Sequence, residues 1–360
     1  MLNKKLRPVV KLVIVNLMVL LILILGIEGV VRIFIPKITI QGQDARMFQP
    51  GKFGTTYGLK PNITGTSFGA RVVTDYQGFR IDPTLPVSPS KPNIIFLGDS
   101  VAMGVGVEAP SVFPYLLARK LRNYNIINAA VTGYSLKDYA NVLESLPPTL
   151  NIEGSVICFC LNDIINFSQV NIVSSVNKDD NSIDKQYNYK DRYPNIFIRY
   201  LRLFNDRYFN FNKFLKSRFY FYQLVKAMTS DSSKNYFLAD LDYYNKPDAV
   251  NIITSDFKHL RDIALRRGKW FVVIILPYEY QLRENNDNNL LPQKILLSIT
   301  KNENIPMVDL YGSLYKYLLN HKLKSDYLYL FNDPMHLSNN GHKIISDLIY
   351  QQLIARHLID

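Results

Sequence analysis

The chain has 360 residues, 48% of them hydrophobic and 12% aromatic, with 42 Lys plus Arg against 30 Asp plus Glu, a net charge of +12. That length allows one large domain or two modest ones, and the apolar share excludes a disordered or collagen-like chain. Two cysteines exclude a disulfide scaffold and a cysteine-rich zinc module, and leave open only a His/carboxylate metal site.

Leu12 to Ile27 reads LVIVNLMVLLILILGI, with Asn16 its one clearly polar side chain. With Val9, Val10 and the stretch from Val30 to Ile35, the run exceeds the roughly 20 residues that cross a bilayer core. Glu28 and Arg32 stand one helical turn apart near its far end, placed to pair or to reach the headgroups. Lys4, Lys5, Arg7 and Lys11 precede it with no acid among them, which sets the N-terminus in the cytoplasm and the rest of the chain across the membrane. The run is longer than a signal-peptide core and no A-x-A-like cleavage site follows, so residues 1–36 read as a cytoplasmic stub and a retained signal-anchor helix.

Residues 37–92 are rich in Gly, Pro and Thr without a sustained period, and read as a stalk and a lead-in with irregular or short-strand structure packed on the main domain. From 93 to 360 the texture alternates. Strands are predicted at Asn93–Leu97, Asn125–Ala130, Ser155–Leu161, Trp270–Leu276 and Ile305–Leu310. Helices are predicted at Ser111–Arg122, at Leu136–Leu146, around Ile253, Phe257, Leu260 and Ala264, and at Gly341–Ala355. This alternation predicts an α/β fold, a three-layer sandwich with a parallel sheet flanked by helices, whose ligands bind at the carboxyl ends of the strands. The gap between the third and fourth strands is too long for an ordinary connection, so about 165–250 reads as an insertion. Within it Tyr193, Phe197, Tyr200, Leu201 and Phe204 keep helical spacing among Arg199, Arg202 and Arg207: an amphipathic helix, or a lid, sugar-stacking or bilayer-lying surface.

Chemistry-bearing residues fall where the strands end. The first strand runs into Gly98-Asp99-Ser100, the second leads to Thr132-Gly133, the third ends in Leu161-Asn162-Asp163, and Asp333-Pro334-Met335-His336 precedes the last helix. Gly-Asp-Ser alone is a common turn tripeptide, but four blocks in this order resemble the SGNH (GDSL) hydrolase family, over residues 93–164 and 250–356. Tyr57–Arg80 is also similar to the lead-in of exported members, with Asp75 where an asparagine is expected.

The resemblance implies an SGNH/flavodoxin-like fold and a serine nucleophile at Ser100, with His336 as its base and Asp333 orienting that base. It implies an oxyanion hole built from the backbone N–H of Ser100, the backbone N–H of Gly133 and the amide of Asn162. Cys160 stands where the family has a glycine, which bears on the placement of Asn162. The implied activity is hydrolysis of O-acyl esters, acetyl above all, on an envelope glycan or small ester. An O-acetyltransferase uses the same groups with a sugar hydroxyl as acceptor, and a non-catalytic glycan-binding protein is the alternative of another class.

Other residues read more plainly. Cys158 and Cys160 lie i, i+2 on a strand and face the same way, as buried free thiols. His342 is the one competitor for the base but lacks a carboxylate three residues before it; it reads as packing or capping. His259, His321 and His357 fall on a basic helix, in a lysine-flanked loop and at the chain end. No metal-ligand spacing, P-loop or G-x-G-x-x-G appears, so no metal and no cofactor are expected. Nucleic acid is not an expected partner.

The charge has two locations. The first eleven residues hold four of the excess positive charges. Residues 185–226 hold a further eight, from Lys185, Lys190, Arg192, Arg199, Arg202, Arg207, Lys213, Lys216, Arg218 and Lys226 against Asp191 and Asp206. The second block is a candidate contact for anionic lipid or glycan.

Overall fold

A computed structural model of the chain describes residues 6–164 and 211–359. The helical pattern at 193–204 and the arginines within it therefore lie outside the described residues. So do the first six basic residues of the 185–226 block.

The N-terminal apolar run forms one helix, α1 (Leu6–Phe34). Pro8–Phe34 is long and apolar enough to cross a membrane, with a mean hydropathy of 2.9 over an 18-residue stretch. Residues 8–27 are exposed throughout, and Glu28 and Val31 are the first to be covered by protein.

Two small antiparallel sheets come next: β1 (Phe48–Pro50) with β2 (Tyr57–Leu59), and β3 (Thr64–Ser67) with β4 (Ala70–Val73). Met47, Phe48, Tyr57, Leu59, Val72 and Phe79 enter the same apolar core as the main sheet, so this lead-in and the main domain pack as one unit.

The main sheet holds β5 (Asn93–Gly98), β6 (Asn125–Asn128), β7 (Ile152–Cys160), β8 (Trp270–Leu276) and β9 (Met307–Asp309), all parallel, in the order β6-β5-β7-β8-β9. Every residue of β5 is buried, as expected of a parallel strand covered on both faces. The crossover from β5 to β6 carries α3 (Phe113–Lys120), after the short helical turn α2 (Ser100–Met103). The return from β6 to β7 carries α4 (Leu136–Ser145). Right-handed crossovers running in opposite directions put α3 and α4 on opposite faces. The connections out of β5 and β7 thus diverge, and a crevice opens between their carboxyl ends, where ligands of such sheets bind.

The described end of the insertion is helical: 211–218, then α5 (Tyr220–Thr229) and α6 (Ser232–Tyr244), with Phe237 and Tyr244 joining the main core. The helix α7 (Ala249–Arg267) leads into β8. After it come α8 (Glu279–Glu284), α9 (Leu291–Asn302), α10 (Tyr311–Asn320) and α11 (Asn339–Ala355).

Boundaries differ from the sequence expectation where a single side chain decides them. β7 begins at Ile152 rather than Ser155, because Gly154 lies flat under the Trp270 ring, where an added Cβ would come within 2.2 Å. β9 is shorter than predicted, since the Asp309 carboxylate accepts the Tyr311 N–H at 3.0 Å and turns the chain into α10. α11 starts two residues early because the Ser338 hydroxyl caps the Gly341 N–H at 3.1 Å.

Candidate active site

Ser100 is placed by a tight exit from β5. A Cβ on Gly98 would lie 2.6 Å from that of Ala102, so only glycine lets the helical turn fold back onto the strand end. Asp99 caps that turn by accepting the Val101 N–H at 2.8 Å. The turn's far end is held by Arg80, a buried guanidinium that donates to the carbonyls of Met103, Gly104 and Val107, each at 2.7 Å. Those carbonyls are the negative end of the turn and the loop behind it, and they compensate the cation together with the more distant charges of Glu108 and Asp82.

The last loop supplies the partners. Asp333 Oδ1 accepts the N–H of Met335 at 3.0 Å and of His336 at 2.7 Å, which fixes the carboxylate before it meets the ring. His336 Nδ1 stands 2.9 Å from Asp333 Oδ2, and Nε2 stands 2.9 Å from Ser100 Oγ. The three residues, 236 positions apart at their extremes, thus form one continuous hydrogen-bonded chain. Phe68, at the tip of the β3–β4 hairpin, sets its ring edge-on to His336 at 5.2 Å and walls the imidazole. Burial lowers the proton affinity of His336, but the charge and hydrogen bond of Asp333, aided by Asp99, outweigh it and leave its pKa above the usual histidine value.

Gly133 follows β6 with φ +77°, the left-handed region that favours glycine. Neither its N–H nor that of Ser100 meets an acceptor among the described residues, so both are available as donors. Thr132, beside it, is held by Gln43 Nε2 at 2.9 Å. Asn162 sits at the end of β7 with its Nδ2 3.4 Å from Asp99 Oδ2, the same oxygen that lies 3.2 Å from Ser100 Oγ. One amide hydrogen therefore points at Asp99, and the second is left for a ligand. Cys160 does not keep Asn162 away: its thiol is buried, and its N–H donates to Asp163 Oδ2 at 2.7 Å. Burial pushes the thiols of Cys158 and Cys160 well above their usual range, and no disulfide joins them.

The structure adds a polar layer that the sequence did not signal. Tyr278 Oη is 3.2 Å from Asn162 Oδ1 and 2.5 Å from Asp240 Oδ2, all three buried. Burial raises Asp240 to about 6, against the lowering effect of the Tyr278 hydrogen bond. Asp99 and Asp163 are also held above the ordinary carboxylate range, mainly by burial. Tyr278 follows β8 and Asp240 lies on α6, so no local spacing links them. The β7–β8 pairing, Cys160 against Leu276, brings Tyr278 beside Asn162, and α6, tied to the Leu161 carbonyl by the Tyr244 hydroxyl at 2.7 Å, brings Asp240 to them.

His342 lies elsewhere. It is fully buried on α11, stacked on Phe113 at 5.6 Å, and its Nδ1 accepts the Phe113 N–H at 3.3 Å. Burial pushes its pKa down to about 3, and the positive charges of Arg80 and His336 act in the same direction.

No family model and no curated protein matches the chain. Among solved structures it is similar to a member of the lipolytic protein G-D-S-L family from Veillonella parvula, with 12% identity over 72% of this chain and 96% of that one and a TM-score of 0.39. A lipase/acylhydrolase from Enterococcus faecalis gives 15% identity, 74% and 96% coverage and a TM-score of 0.40. The acetylxylan esterase Axe2 from Geobacillus stearothermophilus gives 12%, 73% and 94%, and 0.41.

Proposed function

We propose that this chain is a membrane-anchored serine esterase of the SGNH type, hydrolysing O-acyl esters, acetyl above all, on an envelope glycan outside the cytoplasm. The observation that carries this reading is the unbroken chain from Ser100 Oγ through both nitrogens of His336 to Asp333.

Ser100 Oγ attacks the ester carbonyl as its proton passes to His336 Nε2. Asp333 holds the ring by Nδ1–H and stabilises the imidazolium as it forms. The carbonyl oxygen takes up negative charge and meets the N–H of Ser100, the N–H of Gly133 and the free amide hydrogen of Asn162. Collapse expels the sugar alkoxide, which takes the proton from Nε2 and leaves an acyl-Ser100. Water then gives its proton to Nε2, attacks the acyl carbon, and releases the carboxylic acid as Ser100 is reprotonated. His336 is suited to the base step because Asp333 raises its proton affinity above that of an ordinary histidine.

Support for the anchor is the apolar helix of 27 residues, exposed from residue 8 to 27 and led by Lys4, Lys5, Arg7 and Lys11 with no acid among them. The test uses the full chain in detergent or nanodiscs with an aryl acetate, with and without a glycan acceptor. Wild type hydrolyses the ester and labels with a fluorophosphonate, whereas Ser100→Ala does neither. Full activity in Ser100→Ala, or no labelling of folded wild type, overturns the reading. Acyl transfer to the glycan in preference to water would reassign the acceptor while keeping the nucleophile.

A further inference from the structure

Resting on the reading of α1 as a membrane span, we propose that residues 211–229 form an interfacial platform in the headgroup layer of the leaflet where α1 emerges. The platform holds the catalytic loops at the membrane surface.

Glu28 sets the depth. A hydrocarbon core of about 30 Å takes roughly 20 helical residues. Counted from Lys11, it runs to about residue 31 and places Glu28 in its outermost turn. A carboxylate at that depth is costly unless protein groups satisfy it. Glu28 is buried and accepts from Arg32 Nε at 2.8 Å, from the Tyr220 N–H at 3.0 Å and from the Phe221 N–H at 2.8 Å. The last two are the first N–H groups of α5, which carry no intrahelical partner and favour an anion. Arg32 closes the other side, donating to the Arg218 carbonyl at 3.1 Å with its guanidinium 4.7 Å over the Tyr220 ring. Residues 218–221 therefore share the depth of residues 28–32 of the span.

What this segment shows to solvent fits that depth. Phe211 and Phe214 are 58% and 52% exposed, and Met228 is 79% exposed one turn after the exposed Val225. Lys213, Arg218 and Lys226 stand among them. Apolar side chains that enter the acyl boundary beside cations that meet lipid phosphates are the pattern of a helix lying in the interface. Continuity with α1 and the charge of the patch favour the bilayer over a second copy of the chain as the occupant.

The platform is also tied to the site. The Lys216 carbonyl accepts the Gln41 N–H at 2.9 Å, and the Lys216 ammonium feels the charge of Asp333. Lys37, three residues beyond the end of α1, lies 5.5 Å over the Phe331 ring, two residues before Asp333. Three extended residues reach only about 11 Å, so the loop carrying Asp333 and His336 stays beside the end of the anchor.

The test uses the full chain in nanodiscs of phosphatidylcholine and phosphatidylglycerol, labelled with an environment-sensitive fluorophore at Met228→Cys. Val225→Cys serves as the second site, and Val87→Cys as a control, beside Ser88, which is bonded to Asn125 at the amino end of the edge strand β6. The native thiols are buried and do not compete for label. The label at 228 is expected to be quenched several-fold more by a nitroxide on the lipid headgroup than the label at 87, and several-fold less by aqueous iodide. Glu28→Ala is expected to reduce that contrast. Equal iodide quenching at 228, 225 and 87 overturns the platform, and so does shielding of 228 and 225 from both quenchers, which would mark cover by protein. Protein that does not remain with the nanodiscs overturns the anchor itself, whereas aryl acetate hydrolysis in the same samples reports the catalytic reading separately.

Discussion

His336 and His342 are six residues apart in sequence, and both are packed against aromatic rings. Their chemistry differs in sign. His336 has a fixed carboxylate 2.9 Å from Nδ1, and its proton affinity rises above the usual histidine value despite burial. His342 has Phe113 on one face, a backbone N–H on Nδ1 and no carboxylate, and its pKa drops to about 3. The loop makes an imidazole with a strengthened hold on its proton, and the helix makes a ring that refuses one. What separates them is one residue type at one spacing: the Asp three positions before His336, absent before His342.

The strongest way to break this contrast is to remove that carboxylate. Asp333→Asn keeps the shape, but its amide no longer fixes the productive tautomer or stabilises the imidazolium, and kcat is expected to fall by about 10⁴-fold, as in other Ser-His-Asp sites. The pH profile gives the sign. The base works unprotonated, so wild-type activity falls as pH drops through a value above the ordinary 6.5 of histidine. In Asp333→Asn that acid limb should move to lower pH, measured on the residual rate. An unmoved limb would mean that Asp333 does not set the proton affinity of His336.

Asn162→Ala comes next, with an expected loss of about 10²–10³-fold in kcat for one oxyanion donor and little change in KM. Tyr278→Phe tests the layer behind it. The phenol leans on the Asn162 carbonyl oxygen and on Asp240, so its loss frees the amide to turn, and a drop of roughly ten-fold in kcat with KM unchanged is expected. If the same loss appears with Asn162→Ala already in place, the two residues act independently and Tyr278 does not work through the amide.

Much of the candidate site was legible because strand ends announce themselves. β5 and β7 are short apolar runs that stop at Gly98 and at Leu161-Asn162, and a parallel sheet brings such ends to one edge. Asp333 and His336 were legible because one loop carries both. Arg80, Tyr278 and Asp240 were not legible as a group. Arg80 closes on carbonyls 23 to 27 residues away, and Tyr278 meets Asp240 across 38 residues. Their meaning depends on burial, and no periodicity records a burial created by tertiary packing. Glu28 shows both sides: its pairing with Arg32 is written in the i, i+4 spacing, while its bonds to residues 220 and 221 cross 192 and 193 positions.

The smallest effect on activity, none, is expected from His342→Phe, and its value lies in stability. A histidine whose folded pKa is depressed stabilises the fold fully above its unfolded value of about 6.5, and that contribution is lost as pH falls toward about 3. Below 6.5 the unfolded chain takes up a proton that the stacked ring cannot accept, and over the full window this linkage is worth a few kcal/mol. His336 runs the other way: its raised affinity favours folding below 6.5, and that contribution fades as pH rises through its folded value. His342→Phe retains the stack on Phe113 but leaves the Phe113 N–H without its acceptor, so a cost at neutral pH of about 1–3 kcal/mol is expected. The diagnostic is the slope. Denaturant midpoints of wild type should fall between pH 6.5 and 4 more steeply than those of the variant. Parallel slopes would mean that the ring is protonated in the fold, and the contrast between the two histidines would collapse to one of position alone.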